Sequence, residues 1–325
     1  MLFPLFDLLS TQRLRHLAVA RPARATLLGR FGNGRARRSA RERHLIGIIG
    51  GTGLYGMSDL QVTQVREVET PFGVPSSAVT LGVLREREVA FLARHGPGHH
   101  LIPSEINFRA NIWALKSVGA RTVIGVSAVG SLREEIRPGE LALPSQYIDF
   151  TKGVRAASFF GNGIVAHIST AQPTCRATVG LIERAAASLG IGIHKDKTYA
   201  CVEGPRLGTR AESFLLRAAG ADLVGMTNVP EVFLACEAQL GYATIAVATD
   251  YDCWLDDSTQ HVSAEQVIGQ FRSSLAGVQR VLAQAVAEYS EDESRPCRHA
   301  LRSAIVTPRE LLTPQQRAIV DFLSS

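Results

Sequence analysis

Two carboxylates, Asp250 and Asp252, stand close behind a short apolar run, Thr244–Ala248. An apolar run of this length is typical of a buried strand, and catalytic groups in open α/β sheets collect at the carboxyl ends of strands. Buried carboxylates must be paired, protonated or directed at a ligand. The pair therefore indicates a ligand-facing acid, although a helix cap or a solvated loop would produce the same pattern.

Four other strand ends carry side chains that can bind an anion. They supply Thr52, Arg94 with His95, Ser127 and Thr227. Arginine matches phosphate with two parallel N–H donors, and no lysine-bearing Walker loop or magnesium-binding carboxylate pair accompanies these residues. The set predicts a site for free orthophosphate.

Two motifs suggest other chemistries. Gly51–Gly56 fits the GxGxxG dinucleotide fingerprint, but that fingerprint needs a helix directly after the loop, and residues 57–69 alternate like a strand. The loop is either a cradle for one phosphate or a plain tight turn. His95 and His99 have a metal-like helical spacing, but Gly96-Pro97-Gly98 between them disfavours a helix. We expect no metal and no cofactor.

Strand patterns alternate with helix patterns between residues 45 and 289. This alternation predicts an α/β fold, a three-layer single domain with a central mixed β-sheet flanked by helices. The predicted strands are Leu45–Ile49, Val79–Leu84, Val89–Ala93, Thr122–Val126, Leu141–Ile148, Thr198–Val202, Asp222–Gly225 and Thr244–Ala248. The predicted helices are Pro103–Lys116, Leu181–Leu189, Thr209–Ala219, Pro230–Leu240 and Val262–Tyr289.

Both ends of the chain differ from this domain. Residues 1–44 hold ten arginines and two acids, a charge of +8, so the net charge of +5 leaves −3 for the remainder. We interpret 1–44 as a disordered extension or the product of a misassigned start, with a mitochondrial transit peptide as the alternative. In 290–325, a polar linker at Ser290–Arg295 precedes two short helices, predicted from Thr307 and Thr313 as capping residues.

The composition is that of a soluble globular protein, and 325 residues can bury a full core. No apolar run approaches the ~20 residues of a membrane span. Five scattered cysteines without a CxxC pair indicate neither a zinc ribbon nor a disulfide framework and fit a reducing compartment. A mildly acidic body does not resemble a nucleic-acid groove. We therefore expect a cytoplasmic protein with small-molecule partners and neither nucleic-acid nor membrane partners.

Eight ordered motifs give a specific family resemblance across residues 45–289. They are Gly50-Gly51-Thr52-Gly53, Ala93-Arg94-His95-Gly96, residues 111–116, residues 130–135, Glu203-Gly204-Pro205-Arg206, Met226-Thr227, Val229-Pro230-Glu231 and residues 248–254. Together they resemble the 5′-methylthioadenosine phosphorylase family, one of the trimeric purine nucleoside phosphorylases. The resemblance implies a nucleoside phosphorylase-like fold and a homotrimer.

The same resemblance implies roles for particular residues. The phosphate-binding positions are Thr52, Arg94, His95, Ser127, Ala128 and Thr227, with Ser127 in place of the usual threonine. Met226 lies under the ribose, and Asp250 and Asp252 face the purine. The methylthio pocket consists of Ala264, Val267 and Ile268, completed by a neighbouring subunit near Ala166-His167.

Asp250 and Asp252 are the catalytic candidates in the reaction that this family implies. Phosphate attacks an oxocarbenium-like ribosyl carbon while the purine leaves, protonated or hydrogen-bonded at N7. Burial raises the pKa of a carboxyl group, which suits Asp250 as the acid, and Asp252 would position it. Asp250 also favours adenine, because a carboxylate accepts from its N6 amino group. Gly208 stands where the family more often has serine.

The predicted activity is phosphorolysis of 5′-methylthioadenosine. Phosphorolysis of 6-oxopurine nucleosides or methylthioinosine is the main alternative, with Gly208 and Ala264 as specificity positions. Because the apolar 5′ pocket discriminates weakly, we also expect some cleavage of adenosine. A nicotinamide dehydrogenase and a non-catalytic nucleoside-binding protein are the rival classes. The missing helix after Gly51–Gly56 disfavours the first, and the intact Asp250, Arg94 and His95 disfavour the second.

Overall fold

The computed structural model describes residues 45–325 apart from 52–53, 55–56, 58, 257–261 and 293. Its strands are β1 (Leu45–Gly50), β2 (Gln61–Arg66), β3 (Val79–Leu84), β4 (Arg87–Ala93), β5 (Ala120–Ser131), β6 (Leu141–Phe150), β7 (Ile193–Val202), β8 (Leu223–Gly225) and β9 (Gly241–Asp250). Its helices are α1 (Phe108–Ser117), α2 (Arg176–Ser188), α3 (Arg210–Ala218), α4 (Asn228–Glu237), α5 (Ala264–Glu288) and α6 (Pro314–Ser324).

The described strands form one mixed sheet that partly closes on itself. Strand β5 pairs in parallel with β1 and β9 and antiparallel with β8. From β8 the pairing runs through β7 and β6 back to β9, so these five strands form a ring. Strands β4, β3 and β2 extend the sheet outward from β1. The predicted mixed sheet is confirmed.

Strand β9 shows why the sheet is covered on both faces. Tyr242, Ala246 and Ala248 belong to the apolar cluster that contains buried residues of α1 and α4. The alternate residues Ala243, Ile245 and Val247 belong to the cluster that contains buried residues of α2 and α5. Because successive strand residues point to opposite faces, helices cover both sides of the sheet. The three-layer prediction is therefore confirmed, and β9 is buried along its whole length.

Several predicted boundaries differ from the structure, among them the starts of β7 and α2, and two of the differences have local reasons. The helix predicted from Pro103 begins at Phe108, because Asn107 caps it by accepting from the backbone N–H of Ala110. A separate 3-10 turn occupies Pro103–Glu105. The strand predicted to end at Val126 continues to Ser131, since it pairs with β9 as far as Gly130 and with β8 at Gly130 and Ser131. Ser127 therefore lies inside a strand and not in a loop.

The C-terminal segment 290–325 packs on the domain. Thr313 caps α6 with Gln316 as predicted, but the helix expected after Thr307 is only a 3-10 turn, Arg309–Leu311. Another 3-10 turn, Pro296–His299, was not predicted. The proposed linker contains Glu291, which forms a buried ion pair with Arg298, so this stretch is not freely solvated.

Predictions for residues 1–44 lie outside the described part of the chain. None of the described helices combines the length and apolarity needed to cross a membrane.

Candidate active site

Asp250 is the last residue of β9, and its carboxyl group is held beside the backbone of β5. Gly130 of β5 is the residue paired with it. A Cβ atom on Gly130 would lie 3.1 Å from Asp250 Oδ1 and 3.3 Å from Asp252 Cβ. The missing side chain at residue 130 therefore leaves room for both carboxylates at the strand end where the sequence placed them.

The environment of Asp250 favours a protonated carboxyl group. Thr249 Oγ1 donates to Asp250 Oδ2 at 2.6 Å, and the backbone N–H of Asp252 donates to Oδ1 at 2.8 Å. Both contacts stabilise the anion, but the residue is only 7% exposed. Burial outweighs the hydrogen bonds and raises the pKa of Asp250 to about 6. The group can thus hold or release a proton near neutral pH.

Asp252 shapes the loop that carries this carboxyl group. Its φ of 53° lies in the left-handed region, which aspartate and asparagine tolerate better than most residues. Burial raises its pKa as well. Trp254 fastens the loop back to β5, because its indole N–H donates to Ser131 O at 2.9 Å and its ring lies under the Arg217 guanidinium. The loop is therefore held from both sides.

Arg94 differs from the free cation that the sequence suggested. Its Nε and Nη2 each lie 2.7 Å from an oxygen of Glu231, and both side chains are buried. Nη1 donates to Val126 O at 2.8 Å. Burial disfavours the Arg94 cation, yet Glu231 holds its pKa above the usual value. The two-pronged face of the guanidinium is turned toward Glu231, so it does not present an unpaired fork to phosphate.

His95 also differs from the expected donor. Its Nδ1 lies 2.9 Å from Leu101 O, so Nδ1 carries the proton and donates to that carbonyl. Burial lowers the pKa of His95 to about 4, which makes the ring neutral at pH 7 and leaves Nε2 as an acceptor. The His99 ring stacks on it with centroids 4.1 Å apart. No metal-binding cluster of three or more histidines, cysteines or acids is found in the described part of the chain.

The other expected phosphate positions differ in what their hydroxyl groups do. Thr227 precedes α4 and is buried, yet its side chain makes no capping hydrogen bond with the helix. Ser127 Oγ lies 3.3 Å from Asn228 Oδ1, a long contact that a ligand can replace. Ala128 follows Ser127 within β5. Thr52 lies outside the described residues, so its placement stays a prediction.

Comparison with known proteins identifies the family. The family model described as the phosphorylase superfamily matches residues 45–287. S-methyl-5′-thioadenosine phosphorylase of Geobacter sulfurreducens is 45% identical over 279 residues, which cover 86% of this chain and 97% of that protein. The chain belongs to the methylthioadenosine phosphorylase family. The chain matches nearly the full length of this relative, so the likeness extends over the whole domain.

Solved structures support the same placement. A methylthioadenosine phosphorylase from an antarctic soil metagenomic library has a TM-score of 0.80 and 43% identity, covering 87% of this chain and 99% of its own. Methylthioadenosine phosphorylase from Schistosoma mansoni in complex with adenine has a TM-score of 0.77 and 36% identity, covering 82% and 100%. The fold and the family predicted from the motifs are confirmed.

Two residues to which the sequence analysis gave no role organise this phosphorylase site. Glu231 is the partner of Arg94, and a charged residue in the otherwise apolar start of α4 was the signal for it. Arg155 is buried and donates to Met226 O at 2.7 Å and to Val229 O at 2.6 Å. It thereby fixes the backbone on either side of Thr227. Arg155 lies in an irregular loop, where its residue type gave no signal.

The positions expected to set specificity lie in two separate places. Gly208 and Asp252 both line a cavity of about 170 Å³ between β7 and α3. Ala264 and Ile268, at the start of α5, are exposed in the single chain, and Val267 is half-buried. His167 is also exposed, while its backbone N–H donates to Ala304 O. A larger cavity of about 410 Å³ lies among residues of the C-terminal segment and includes none of the predicted site residues.

Proposed function

We propose that the protein cleaves 5′-methylthioadenosine with orthophosphate, giving adenine and 5-methylthioribose 1-phosphate. The observation that carries this proposal is the buried Asp250 carboxyl group with a pKa near 6 at the end of β9. The Geobacter sulfurreducens relative, 45% identical over 279 residues, is named for this nucleoside. The solved structure from Schistosoma mansoni is a complex with adenine. The reaction transfers a pentosyl group from a purine to phosphate.

Asp250 supplies what the leaving purine needs. As the C1′–N9 bond breaks, electrons move into the purine, and a proton at N7 stabilises it. A solvated carboxyl group is ionised near neutral pH and has no proton to donate. A buried carboxyl group whose pKa lies near the working pH is still partly protonated and can act as the acid. Asp252 holds Asp250 through its backbone N–H. Together they make adenine a good leaving group, and the Asp250 oxygens also accept from its N6 amino group.

The residues proposed to bind phosphate, taken together with Glu231, carry almost no net charge. Glu231 balances the charge of Arg94, so orientation rather than net charge favours the anion. Thr227 offers a hydroxyl that does not cap α4, and the neutral His95 offers Nε2 as an acceptor for the P–OH of a phosphate. A phosphate dianion beside His95 would also raise its pKa. Under this proposal orthophosphate is the second substrate, and no metal ion or cofactor takes part.

The proposed working unit is a cytoplasmic homotrimer. The apolar positions Ala264, Val267 and Ile268 stand at the exposed start of α5, where a single chain builds no closed pocket for the methylthio group from its described residues. His167, also exposed, is the proposed contribution of each subunit to its neighbour's pocket. Cyclic symmetry lets every subunit both give and receive this contact.

A substrate comparison tests the proposed function. Purified protein should cleave methylthioadenosine only when phosphate is present, and faster than it cleaves methylthioinosine. A chelator in excess phosphate should leave the rate unchanged. Faster cleavage of methylthioinosine would replace the proposed base preference with the 6-oxopurine alternative, and loss of activity with the chelator would show that a metal is required.

A further inference from the structure

Six buried polar side chains form a continuous hydrogen-bond chain in the core between α4, β5 and β9. Its ends are Arg94 and Ser127, two of the positions at which the family resemblance places phosphate. The members, in order, are Arg94, Glu231, Tyr242, Thr244, Asn228 and Ser127, and none is more than 6% exposed. Unpaired polar groups in a core cost free energy, so each of these buried side chains depends on its hydrogen-bond partners.

All donors from the Ser127 end point the same way. Ser127 Oγ donates to Asn228 Oδ1 (3.3 Å), and Asn228 Nδ2 donates to Thr244 Oγ1 (2.8 Å). Thr244 Oγ1 then donates to the Tyr242 hydroxyl at 3.0 Å. Hydrogen bonds arranged head to tail polarise one another, so each strengthens the next.

Glu231 is the acceptor on which the donors from both ends of the chain converge. Its Oε1 accepts from the Tyr242 hydroxyl at 2.7 Å and from Arg94 Nη2 at 2.7 Å, and its Oε2 accepts from Arg94 Nε. These three donors satisfy both oxygens of the buried Glu231 side chain. The two contacts with Arg94 also fix the rotation of the guanidinium plane.

The backbone of β5 passes close to this chain. A Cβ atom on Gly125 would lie 2.7 Å from the Tyr242 hydroxyl and 3.2 Å from Glu231 Oε1. Arg94 Nη1 donates to Val126 O, next to Ser127. The chain is therefore built against the strand that carries Ser127, and it holds Arg94 at a fixed distance from that strand.

We infer that Glu231 is a positioning residue for phosphate, acting through Arg94 and, by way of Tyr242, through Ser127. A buried guanidinium without a counterion would be strongly destabilising whenever the phosphate site is empty. Glu231 removes that penalty and keeps Arg94 oriented between turnovers. The inference rests on the proposed function, because it presumes that Arg94 and Ser127 serve phosphate.

The test compares two buried glutamates of the same helix. Glu231→Gln places an amide NH₂ against the donors of Arg94, which breaks the two-pronged pair. We expect the phosphate KM to rise about tenfold or more, while the methylthioadenosine KM changes less than about threefold. Glu237→Gln is the matched control, since its carboxylate accepts from Ser158 Oγ and Phe159 N, outside the chain. It should leave the phosphate KM unchanged.

A second variant and a second measurement distinguish weaker phosphate binding from misfolding of the protein. Tyr242→Phe removes one donor from Glu231 but keeps the pair with Arg94, so we expect a smaller rise in the phosphate KM. Thermal unfolding in increasing phosphate reports binding without turnover, because a ligand of the folded state raises Tm. The Glu231→Gln protein should need a correspondingly higher phosphate concentration for the same rise.

The outcomes separate this inference from the proposed function. If wild type shows phosphate-dependent cleavage and Arg94→Ala raises the phosphate KM, but folded Glu231→Gln does not, the inference is wrong while the function stands. Equal rises in both substrates' KM values would also overturn it, because they would indicate general structural damage. Absence of phosphate-dependent cleavage in wild type would instead remove the proposed function on which the inference rests.

Discussion

Replacing Asp250 with asparagine separates its chemical role from its structural role. The amide cannot deliver a proton to N7, so we expect kcat for methylthioadenosine to fall by about 10²–10⁴. The site accommodates the amide well. Its NH₂ can donate to Thr249 Oγ1, whose hydroxyl lies 3.2 Å from Val129 O and can donate there instead. The backbone N–H of Asp252 keeps its oxygen acceptor.

The same substitution should stabilise the protein, and the pKa gives the magnitude. Asp250 has a pKa of about 6 in the folded state against an ordinary value of 3.8. The folded state therefore binds this proton more tightly than the unfolded state does. As pH rises from about 4 to 6 the wild type loses stability relative to the variant, and above 6 the difference is constant. It amounts to about 3 kcal/mol at most.

Two measurements on one pair of proteins check this reasoning. Denaturant unfolding at pH 8 should show the asparagine variant to be more stable, and unfolding near pH 4 should show little difference. Steady-state rates should show the large loss of kcat. A variant that kept the wild-type rate would show that Asp250 is structural. A stability difference that did not change with pH would show that the carboxyl group is not held at a raised pKa.

Three further substitutions test neighbouring parts of the site. Asp252→Ala should unfold more easily than Asp252→Asn by about 1 kcal/mol, because alanine is strained at a φ of 53°; equal midpoints in urea would contradict this. Gly208→Ser should be tolerated, since its Cβ would lie 3.7 Å from Asp252 Oδ1. We expect it to change the ratio of kcat/KM for methylthioadenosine to kcat/KM for methylthioinosine. An unchanged ratio would show that residue 208 does not affect the choice of base. Arg155→Lys should lower kcat/KM about tenfold or more, because an ammonium cannot keep the bonds to Met226 O and Val229 O together with those that Nε and Nη2 make to Glu203; wild-type kinetics would show that this backbone needs no such support.

Much of the fold could be predicted from the sequence because strand ends carry a strong local signal. β9 is buried along its whole length and mostly apolar because helices cover both its faces, so its end at Asp250 was visible as an abrupt change to carboxylates. The end of β5 was not visible. Its polar and small residues from Ser127 to Ser131 look like a loop, yet pairing with β9 and, at its end, with β8 keeps them in a strand. Such pairing depends on residues more than a hundred positions apart.

The chemistry of individual side chains was harder to predict than their location. Arg94 and His95 lie at the strand end that the motifs indicated. The groups that hydrogen-bond to them lie outside those motifs, one on a side chain distant in sequence and the other on the backbone. Glu231 lies 137 residues from Arg94, and the acceptor for His95 is a carbonyl oxygen at Leu101. A motif reports which groups are present. Only the folded structure shows that Glu231 balances the charge of Arg94 and that the His95 imidazole is neutral.

The product balance of a single reaction tests the central claim most directly. Wild-type protein, methylthioadenosine and orthophosphate should be followed by phosphorus NMR together with adenine release. We predict that one inorganic phosphate disappears and one sugar 1-phosphate appears for each adenine formed, with no adenine released when phosphate is left out. Adenine released without phosphate consumption, accompanied by free methylthioribose, would mean that water is the nucleophile and would contradict the phosphorolytic mechanism.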